Sequence, residues 1–392
     1  MGVWALVGDR AVLLLGGAVL VAAVPMAAGC AEGGLVPPAA CVDGPVPAAV
    51  ASNPWALDVA PVAAESVIGS GPHGSAPHVA WDGHAWTVAW GEQVVVLDGE
   101  ARAVSAIGHA HGPASAIEAG TCQRAVATRS DRGSTVRWLE DDGSVARTLA
   151  IAGTDVDLAR GGARWWIASR DGGAIDVRAV DGSIRAVEHI EGAGTPRIAI
   201  TPAGVTVAWA DEQGLVARTL ARPDARATTS PQVSAANTWA DGALELAALG
   251  DRLVLAAADG TMVHAAIVDP RDDSVAGPIA IARTTSRARP GIAAIPERGL
   301  AAICYAAGPG PTGGTDVQDR VELIVVDRSG HPIAPALALA RGTTGEVVRA
   351  VSCAWSGREV LVTWWRTRES GDEIAIQRAR VGRSAEIISD PW

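Results

Sequence analysis

Histidines in the first third of the chain are the first residues whose spacing could support chemistry. Five of the eight histidines lie between residues 73 and 111. In the segment GHAHG an extended backbone would place His109 and His111 on one face, a geometry that suits zinc. No carboxylate or cysteine nearby completes a ligand set. We therefore interpret both histidines as polar loop residues that could contact a ligand, and we expect neither a metal nor another cofactor.

Paired carboxylates and a single tyrosine are the candidates for hydrolytic chemistry. The pairs Asp141-Asp142 and Asp272-Asp273 fall in predicted turns, where a solvated charge is the default. Tyr305 is the only tyrosine and lies in an apolar run, so we interpret it as a core residue or the edge of a sheet. The sequence contains no P-loop, EF-hand-like loop or GxSxG motif. These observations predict no catalytic residues, and therefore a protein that is not an enzyme.

The N-terminus carries the most specific pattern in the sequence. Arg10 is followed by AVLLLGGAVLVAAVPMAAGC, an apolar stretch of signal-peptide length that ends in small residues. The run Ala27-Ala28-Gly29-Cys30 resembles the lipobox of bacterial lipoprotein precursors, although Ala27 stands where that family usually has leucine. The resemblance implies that residues 1–29 are removed as a signal peptide and that Cys30 is lipidated, for example with palmitate. A plain secretory cleavage and an uncleaved anchor are the alternatives.

Lipidation of Cys30 would hold the protein in the bacterial cell envelope, at the outer membrane or cell surface rather than the inner membrane. Residues 30–70 are rich in Ala, Pro, Gly and Val and have no sustained periodicity, so we interpret them as a tether to a folded domain over residues 71–392. The formal charge of −11 without a basic block argues against a nucleic-acid partner. The apolar content of 48% is sufficient for a sizeable core.

Four cysteines remain if Cys30 carries lipid: Cys41, Cys122, Cys304 and Cys353. An even number of cysteines in an exported protein permits two disulfides, and their pairing is open among the possible combinations. We favour Cys304–Cys353 because these two residues fall on neighbouring repeats, as described next. This choice leaves Cys41 to join the N-terminal segment to Cys122.

A hairpin pattern recurs along the chain and predicts the fold. In SRDGGAIDVRAVDGS, residues 169–183, two Asp-Gly turns flank an alternating β-rich run. The first-turn acids of three such units, Asp131, Asp171 and Asp211, lie 40 residues apart, and a further short strand precedes most units. A period of about 40–50 residues with four strands per unit predicts an all-β protein, a β-propeller of seven four-stranded blades, with six or eight possible. Residues 61–68 are expected to supply the outer strand of the last blade.

The repeats lack the signatures of two named propeller families and partly match a third. The WD-repeat order is reversed here, because Trp81-Asp82 precedes Gly83-His84, and a kelch pattern would need more tyrosines than Tyr305. Some turns resemble the Asp-box of sialidases, for example at Ser169, Asp171 and Gly173. In that family the box lies between the third and fourth strands, whereas here it falls between the second and third. We therefore interpret these turns as structural.

A sialidase-like activity would also need an arginine cluster for the substrate carboxylate. The arginines that recur at a matching third-strand position are Arg137, Arg178, Arg218 and Arg378. A residue repeated once per blade is more often part of the architecture than of a unique catalytic cluster. Carbohydrate-active or other hydrolytic chemistry therefore remains the alternative function rather than the favoured one.

The expected ligand face carries the loops between blades and the loops between second and third strands, because rigid scaffolds present binding residues on loops. The residues that we expect to contact a ligand are Trp239 in a polar inter-blade loop, Asp316 within the long loop 307–319, and His109 and His111. The favoured function is a monomeric, lipid-anchored envelope protein whose propeller is a non-enzymatic binding or scaffolding platform. Its partner would be an envelope protein or a glycan.

Overall fold

The predicted fold class is confirmed by the computed structural model, which describes residues 3–7, 10–15, 18–21, 57–70, 76–109, 112–120, 123–191, 194–211, 214–220, 232–233, 244–271, 274–284, 288–308, 320–341 and 346–383. The described residues from 57 to 383 form an all-β ring of seven blades, each built on an antiparallel sheet. Helical structure within them amounts to one 3-10 turn at Pro296–Arg298. Across the described ranges, no helix has the length and apolar character needed to cross a membrane.

The first four blades follow one another along the chain, and their strands are given from the innermost outward. Blade 1 comprises His78–Trp81, Trp86–Trp90, Gln93–Leu97 and Ala103–His109. Blade 2 comprises Ala114–Gly120, Gln123–Ser130, Gly133–Leu139 and Val145–Ile151. Blade 3 comprises Val156–Gly161, Arg164–Asp171, Ala174–Val180 and Ile184–Glu191. Blade 4 comprises Arg197–Thr201, Gly204–Asp211, Gly214–Leu220 and Gln232–Val233.

The last three blades repeat this order, and the seventh ends with strands from the N-terminal part of the chain. Blade 5 comprises Leu244–Leu249, Arg252–Ala258, Met262–Asp269 and Ser274–Arg283. Blade 6 comprises Gly291–Ile295, Leu300–Ala307, Arg320–Val326 and Leu337–Arg341. Blade 7 comprises Val347–Trp355, Glu359–Arg368 and Gly371–Arg383, followed by Leu57–Pro61 and Ser66–Ser70. A separate three-stranded sheet comprises Val3–Val7, Arg10–Leu15 and Ala18–Val21.

Closure of the ring occurs where the sequence predicted it, in the last blade near residues 61–68. Strands Leu57–Pro61 and Ser66–Ser70 both pair antiparallel with Gly371–Arg383. The Gln377 side chain adds a hydrogen bond of 2.9 Å to the carbonyl of Ala63. Residues 57–70 therefore belong to the ring, which begins before residue 71, and they join the two ends of the propeller.

The innermost strands of consecutive blades contact one another around a central channel, and blade 7 contacts blade 1. We define the mouth face as the end of the ring where each innermost strand begins and each second strand finishes. In blade 1 this end is marked by His78 and Trp90. Because neighbouring strands are antiparallel, the inter-blade connections and the turns between second and third strands lie on the mouth face.

Apolar side chains pack between neighbouring blades, which explains the nearly continuous apolar runs of the sequence. Strand Trp86–Trp90 is buried along its whole length. Trp138 of blade 2 and Trp165 of blade 3 pack edge-to-face, with ring centroids 6.2 Å apart. A strand covered on both faces has no solvent side to alternate with, so its residues are apolar at successive positions. Most tryptophans of the described blade strands are buried and therefore serve as packing residues.

Acidic residues at the turns between strands stabilise those turns through local backbone hydrogen bonds. The Asp259 carboxylate accepts the N–H groups of Thr261 and Met262, each at 2.7 Å. At the corresponding turn of blade 2, Gly133 has a φ of +125°, and a Cβ there would lie 2.5 Å from the Ile151 carbonyl oxygen. These contacts support a structural role for the Asp-containing turns.

Candidate functional site at the channel mouth

Most of the predicted ligand contacts lie outside the described residues: Trp239, Asp316 and His111. Cys30, Cys41 and Cys122 also lie outside them. His109 ends the outermost strand of blade 1, and only its backbone is described. The described strands that flank Trp239 and the loop 309–319 end at the mouth face, which is the face that the sequence indicated.

The innermost strands surround a cavity of about 350 Å³ in the central channel. Its walls include apolar side chains such as Val79, Ile117 and Ile198. Trp81 and Trp355 line its far end, where the innermost strands of blades 1 and 7 finish. A cavity of this size falls within the range of small-molecule sites, but its exposed lining is more polar than apolar.

Five ionisable side chains converge where this cavity meets the mouth face, and we call them the mouth cluster: His78, Asp157, Arg197, Glu245 and Arg289. Four of them stand at the first or second position of an innermost strand, in blades 1, 3, 4 and 5. Arg289 precedes the innermost strand of blade 6 by two positions. Equivalent positions of different blades therefore bring together residues that are far apart in sequence.

Two guanidinium groups of the mouth cluster share one carboxylate. The Glu245 Oε1 atom lies 2.8 Å from Arg289 Nε and 3.5 Å from Arg197 Nε. Arg197 also donates to the carbonyl oxygens of Leu244 at 2.9 Å and Pro196 at 2.8 Å. These bonds hold Arg197 rigidly, because its donors are oriented by fixed backbone groups.

Arg289 reaches across the channel to His78, which belongs to blade 1. The distance between Arg289 Nη2 and His78 Nδ1 is 3.2 Å. Burial lowers the pKa of His78 well below its usual value, and the positive charges of Arg289 and Arg197 lower it further. His78 is therefore neutral at physiological pH, and its Nδ1 atom can accept the hydrogen bond from the guanidinium.

Asp157 is the second carboxyl group of the mouth cluster and is placed differently from Glu245. Its Oδ2 atom accepts the backbone N–H of Ile198 at 2.8 Å. The carboxyl faces the cavity but is remote from bulk solvent, and this burial raises its pKa to about 6 against the opposing effect of Arg197. Asp157 consequently exchanges its proton close to neutral pH.

Tyr305, the tyrosine that could have supported hydrolytic chemistry, is a core residue as predicted. It is 1% exposed and packs in the cluster between blades 5 and 6. Its hydroxyl donates a 2.7 Å hydrogen bond to Glu322 on the adjacent strand. Burial and this hydrogen bond raise the pKa of Tyr305 far above its usual value, which keeps the phenol protonated. A protonated, buried phenol is a poor nucleophile.

The repeated arginines occupy equivalent positions on third strands, as predicted, and all lie outside the cavity wall. Arg178 hydrogen-bonds Ser169 and Asp176 within its own blade, at 3.0 and 2.9 Å. Arg218 of blade 4 bonds Glu188 of blade 3 at 3.0 Å. Such contacts stabilise and connect the sheets.

The predicted Cys304–Cys353 disulfide is not formed in this structure. The two residues do come together from blades 6 and 7, as their repeat positions indicated, but both are buried free thiols. Burial and the adjacent Cys353 thiol raise the pKa of Cys304. Thiolate is the reactive form, so this environment disfavours disulfide formation.

The mouth cluster was missed by the sequence interpretation, although a signal for it exists. The short strand that precedes each repeat unit reads PHVAW, PRIAI or ALELAAL in blades 1, 4 and 5, and each of these apolar runs contains one ionisable residue at or near its start. Alignment of these positions between repeats would have selected His78, Arg197 and Glu245. Within the described residues, no group of three or more His, Cys, Asp and Glu side chains could hold a metal ion.

Comparisons with known proteins define the class of this chain but no family. No protein-family model matches it, and no curated protein matches it. It is similar to the WD40 domain of coronin from Toxoplasma gondii, with a TM-score of 0.54 and 11% identity over 88% of this chain and 90% of that one. The chain is a seven-bladed β-propeller protein, and this likeness extends to the fold alone.

Two further solved structures overlap with it more weakly. TolB from Acinetobacter baumannii has a TM-score of 0.42 and 13% identity, with 71% of this chain and 66% of that chain covered. A prolyl endopeptidase has a TM-score of 0.46 and 13% identity, with 79% of this chain covered but only 50% of that one.

Proposed function

We propose that this protein is a non-enzymatic binding platform in the bacterial cell envelope, anchored by lipid on Cys30, and that its working surface is the mouth face. The observation that carries the proposal is the mouth cluster, which places charged and hydrogen-bonding groups at the opening of a cavity. Propellers host many activities, so the fold by itself does not define the function.

The position of the loops supports the same face. His109 ends the outermost strand of blade 1 at this face. The segments that contain His111, Trp239 and Asp316 connect described strands whose joined ends lie at the mouth face. A rigid ring that presents many loops around one polar opening suits recognition of a protein or glycan surface. The envelope partner is therefore expected to cover the cavity opening.

A hydrolytic function is less well supported by the described side chains. The Tyr305–Glu322 pair has the composition of a sialidase-type nucleophile pair, but Tyr305 is buried between blades, and its raised pKa keeps the phenol protonated. The pKa of Asp157 is raised to about 6 by burial, but Arg197 and Arg289 beside it would also suit simple binding. The alternative is kept as an outcome of the capture experiment below.

Membrane fractionation tests the anchor. The full chain and its Cys30→Ala variant are expressed in a bacterial host that processes lipoproteins, and the cell fractions are separated. The unmodified chain is expected in the membrane fraction, and the variant is expected to be released into the soluble envelope fraction. Retention of the variant in the membrane would rule out lipid on Cys30 as the anchor.

Capture from solubilised envelope tests the working surface. The full chain with Cys30→Ala is the bait, and its mouth-face variants are Arg132→Glu and Trp239→Ala. Asp142→Arg, on an exposed turn at the opposite face, is the matched control. One partner at equal stoichiometry should be bound by the bait and the control but lost with the mouth-face variants.

Two results would contradict the proposal. Loss of the partner only in the Asp142→Arg variant would place the working surface on the opposite face. If the bait releases shortened glycans during incubation, and the mouth-face variants still do so, the protein is a hydrolase and the alternative function is favoured.

A further inference from the structure

The balance of charge in the mouth cluster depends on a single carboxyl group. Arg197 and Arg289 are permanent cations, and the carboxylate that contacts both is Glu245. His78 is neutral, because burial and the two arginines lower its pKa. The fifth member, Asp157, therefore decides whether the cluster is neutral or carries one excess positive charge.

Asp157 is well placed to make this difference. Its described hydrogen bond comes from the backbone N–H of Ile198, and its carboxyl faces the cavity. The ionisable groups around it from every blade that lines this space are His78, Glu118, Arg160, Arg197, Glu245, Arg289 and Cys353. Glu118 and Arg160 carry opposite charges and lie farther along the innermost strands of blades 2 and 3, away from the mouth face.

We propose that the cavity binds a small monocarboxylate together with one proton, with Arg289 pairing with the bound carboxylate and protonated Asp157 donating a hydrogen bond to it. The inference deepens the proposed function and rests on the mouth face being the working surface. On binding, one proton from solvent attaches to the Asp157 carboxylate, and no covalent bond to the ligand forms or breaks.

The proposed ligand carries a single negative charge because the site is buried and its charges must balance. An uncompensated cation removed from water is costly, so protonation of Asp157 favours an anion that restores neutrality. A guanidinium and a carboxylic acid both donate to a carboxylate, and such charge-assisted hydrogen bonds are short and strong. A dianion would leave one excess negative charge beside Glu245 and would bind more weakly.

The walls of the cavity determine the rest of the ligand. Below the mouth cluster the innermost strands line the cavity with apolar residues such as Ile117 and Leu158 and with the charged residues Glu118 and Arg160, so its exposed lining is more polar than apolar. A volume of about 350 Å³ accommodates a compact body but not a long chain. The ligand class is therefore a small, compact carboxylic acid in its ionised form.

Isothermal titration calorimetry tests the inference with benzoate and hexanoate as probes and sulfate as the dianion. Both carboxylates are ionised between pH 5.5 and 7.5. Linkage to a carboxyl group that titrates at about pH 6 predicts affinity about 20-fold higher at pH 5.5 than at pH 7.5. Titrations at pH 7.5 in buffers of different ionisation enthalpy should show uptake of nearly one proton per ligand.

Three variants separate the role of each group. Asp157→Asn is expected to bind at pH 7.5 as tightly as the parent at pH 5.5, without proton uptake. Arg289→Gln is expected to lose at least tenfold in affinity at every pH, since the paired cation is absent. Asp142→Asn, an exposed carboxyl at the opposite face, is the matched control and should behave as the parent.

Several results would overturn the inference. These are no carboxylate binding by the parent, affinity that does not change with pH, equal affinity for sulfate, or unchanged binding by Arg289→Gln. Because Asp157→Asn removes a buried charge, it should fold, and its gain of affinity remains testable if Arg289→Gln does not fold. Capture of an envelope partner without carboxylate binding would reject this inference alone, whereas absence of both would reject the proposed function as well.

Discussion

Two regions of the ring bury arginines beside carboxylates, yet they use those charges differently. Closure of the ring involves Glu65, Glu346, Arg366, Arg368 and Glu373, which we call the closure network. Arg366 bonds Glu373 at 2.9 and 3.0 Å and also pairs with Glu65. Arg368 lies 3.2 Å from Glu373 and pairs with Glu346. Every member of the network is therefore in a direct ion pair.

The mouth cluster has the same number of arginines, but its charges surround a cavity. Asp157 accepts a backbone N–H and has a raised pKa, and neutral His78 accepts from Arg289. The closure network joins Glu65 of the N-terminal segment to strands more than 300 residues later in the chain. Ion pairs between strands therefore hold this ring closed, whereas the groups with shifted pKa values, His78 and Asp157, lie where a ligand can enter.

Removal of a closure cation should produce the largest effect. Arg366 is 5% exposed, and Arg366→Gln leaves Glu65 and Glu373 without their guanidinium partner. We expect a loss of about 3 kcal/mol in the free energy of unfolding, measured by urea denaturation. Arg102→Gln, which removes a pair at a 72% exposed side chain, is the control and should change little. Equal losses in the two variants would contradict a structural role specific to the closure network.

Asp157→Asn should change the pH dependence of stability in a defined direction. The raised pKa means that the folded chain retains a proton that the unfolded chain releases between about pH 4 and 6. Folding is therefore favoured below this window, and the free energy of unfolding falls as pH rises through it. The difference between parent and variant should change by about 2–3 kcal/mol between pH 4 and pH 7.5.

Urea denaturation at several pH values measures this difference, since groups shared by both chains cancel. At pH 4 the two chains should be similar, and at pH 7.5 the variant should be the more stable. A difference that is constant with pH would show that Asp157 is not the group that titrates.

His78→Gln should change the pH dependence of the free energy of unfolding by a smaller amount and with the opposite sign. Because the pKa of His78 is lowered, the unfolded chain binds a proton below about pH 6.5 that the folded chain does not. The free energy of unfolding of the parent therefore falls as the pH is lowered, and the variant should lack this fall. Thermal unfolding at pH 7.5 and pH 5 measures it; a steeper loss in the variant would contradict a neutral His78.

The thiol pair between blades 6 and 7 should produce the smallest effect. In a chain carrying Cys30→Ala, Cys41→Ser and Cys122→Ser, a reductant should not shift the thermal midpoint, because Cys304 and Cys353 are free thiols. A thiol reagent should react with them only after unfolding, since burial raises the pKa of Cys304. A clear drop of the midpoint on reduction would restore the disulfide predicted from the repeats.

The fold was predictable from sequence because its signals are local. Asp-Gly turns at regular spacing and apolar runs between them define strands and hairpins, and four strands per period indicate blades. Even the closing segment near residues 61–68 could be inferred, since the last repeat lacked an outer strand. The sequence also indicated that Cys304 and Cys353 lie close together. Whether their sulfurs are thiols or a disulfide, by contrast, depends on their burial.

The geometry and the charge states of the candidate site were decided by the tertiary structure. Each member of the mouth cluster appears in the sequence as one polar residue at, or just before, the start of an otherwise apolar strand. His78 and Arg289 are separated by 211 residues and meet at 3.2 Å because the ring closes. The pKa values of His78 and Asp157 are likewise products of burial around a shared channel. Local spacing determines the blades, whereas the chemistry at their axis exists only when all seven surround it.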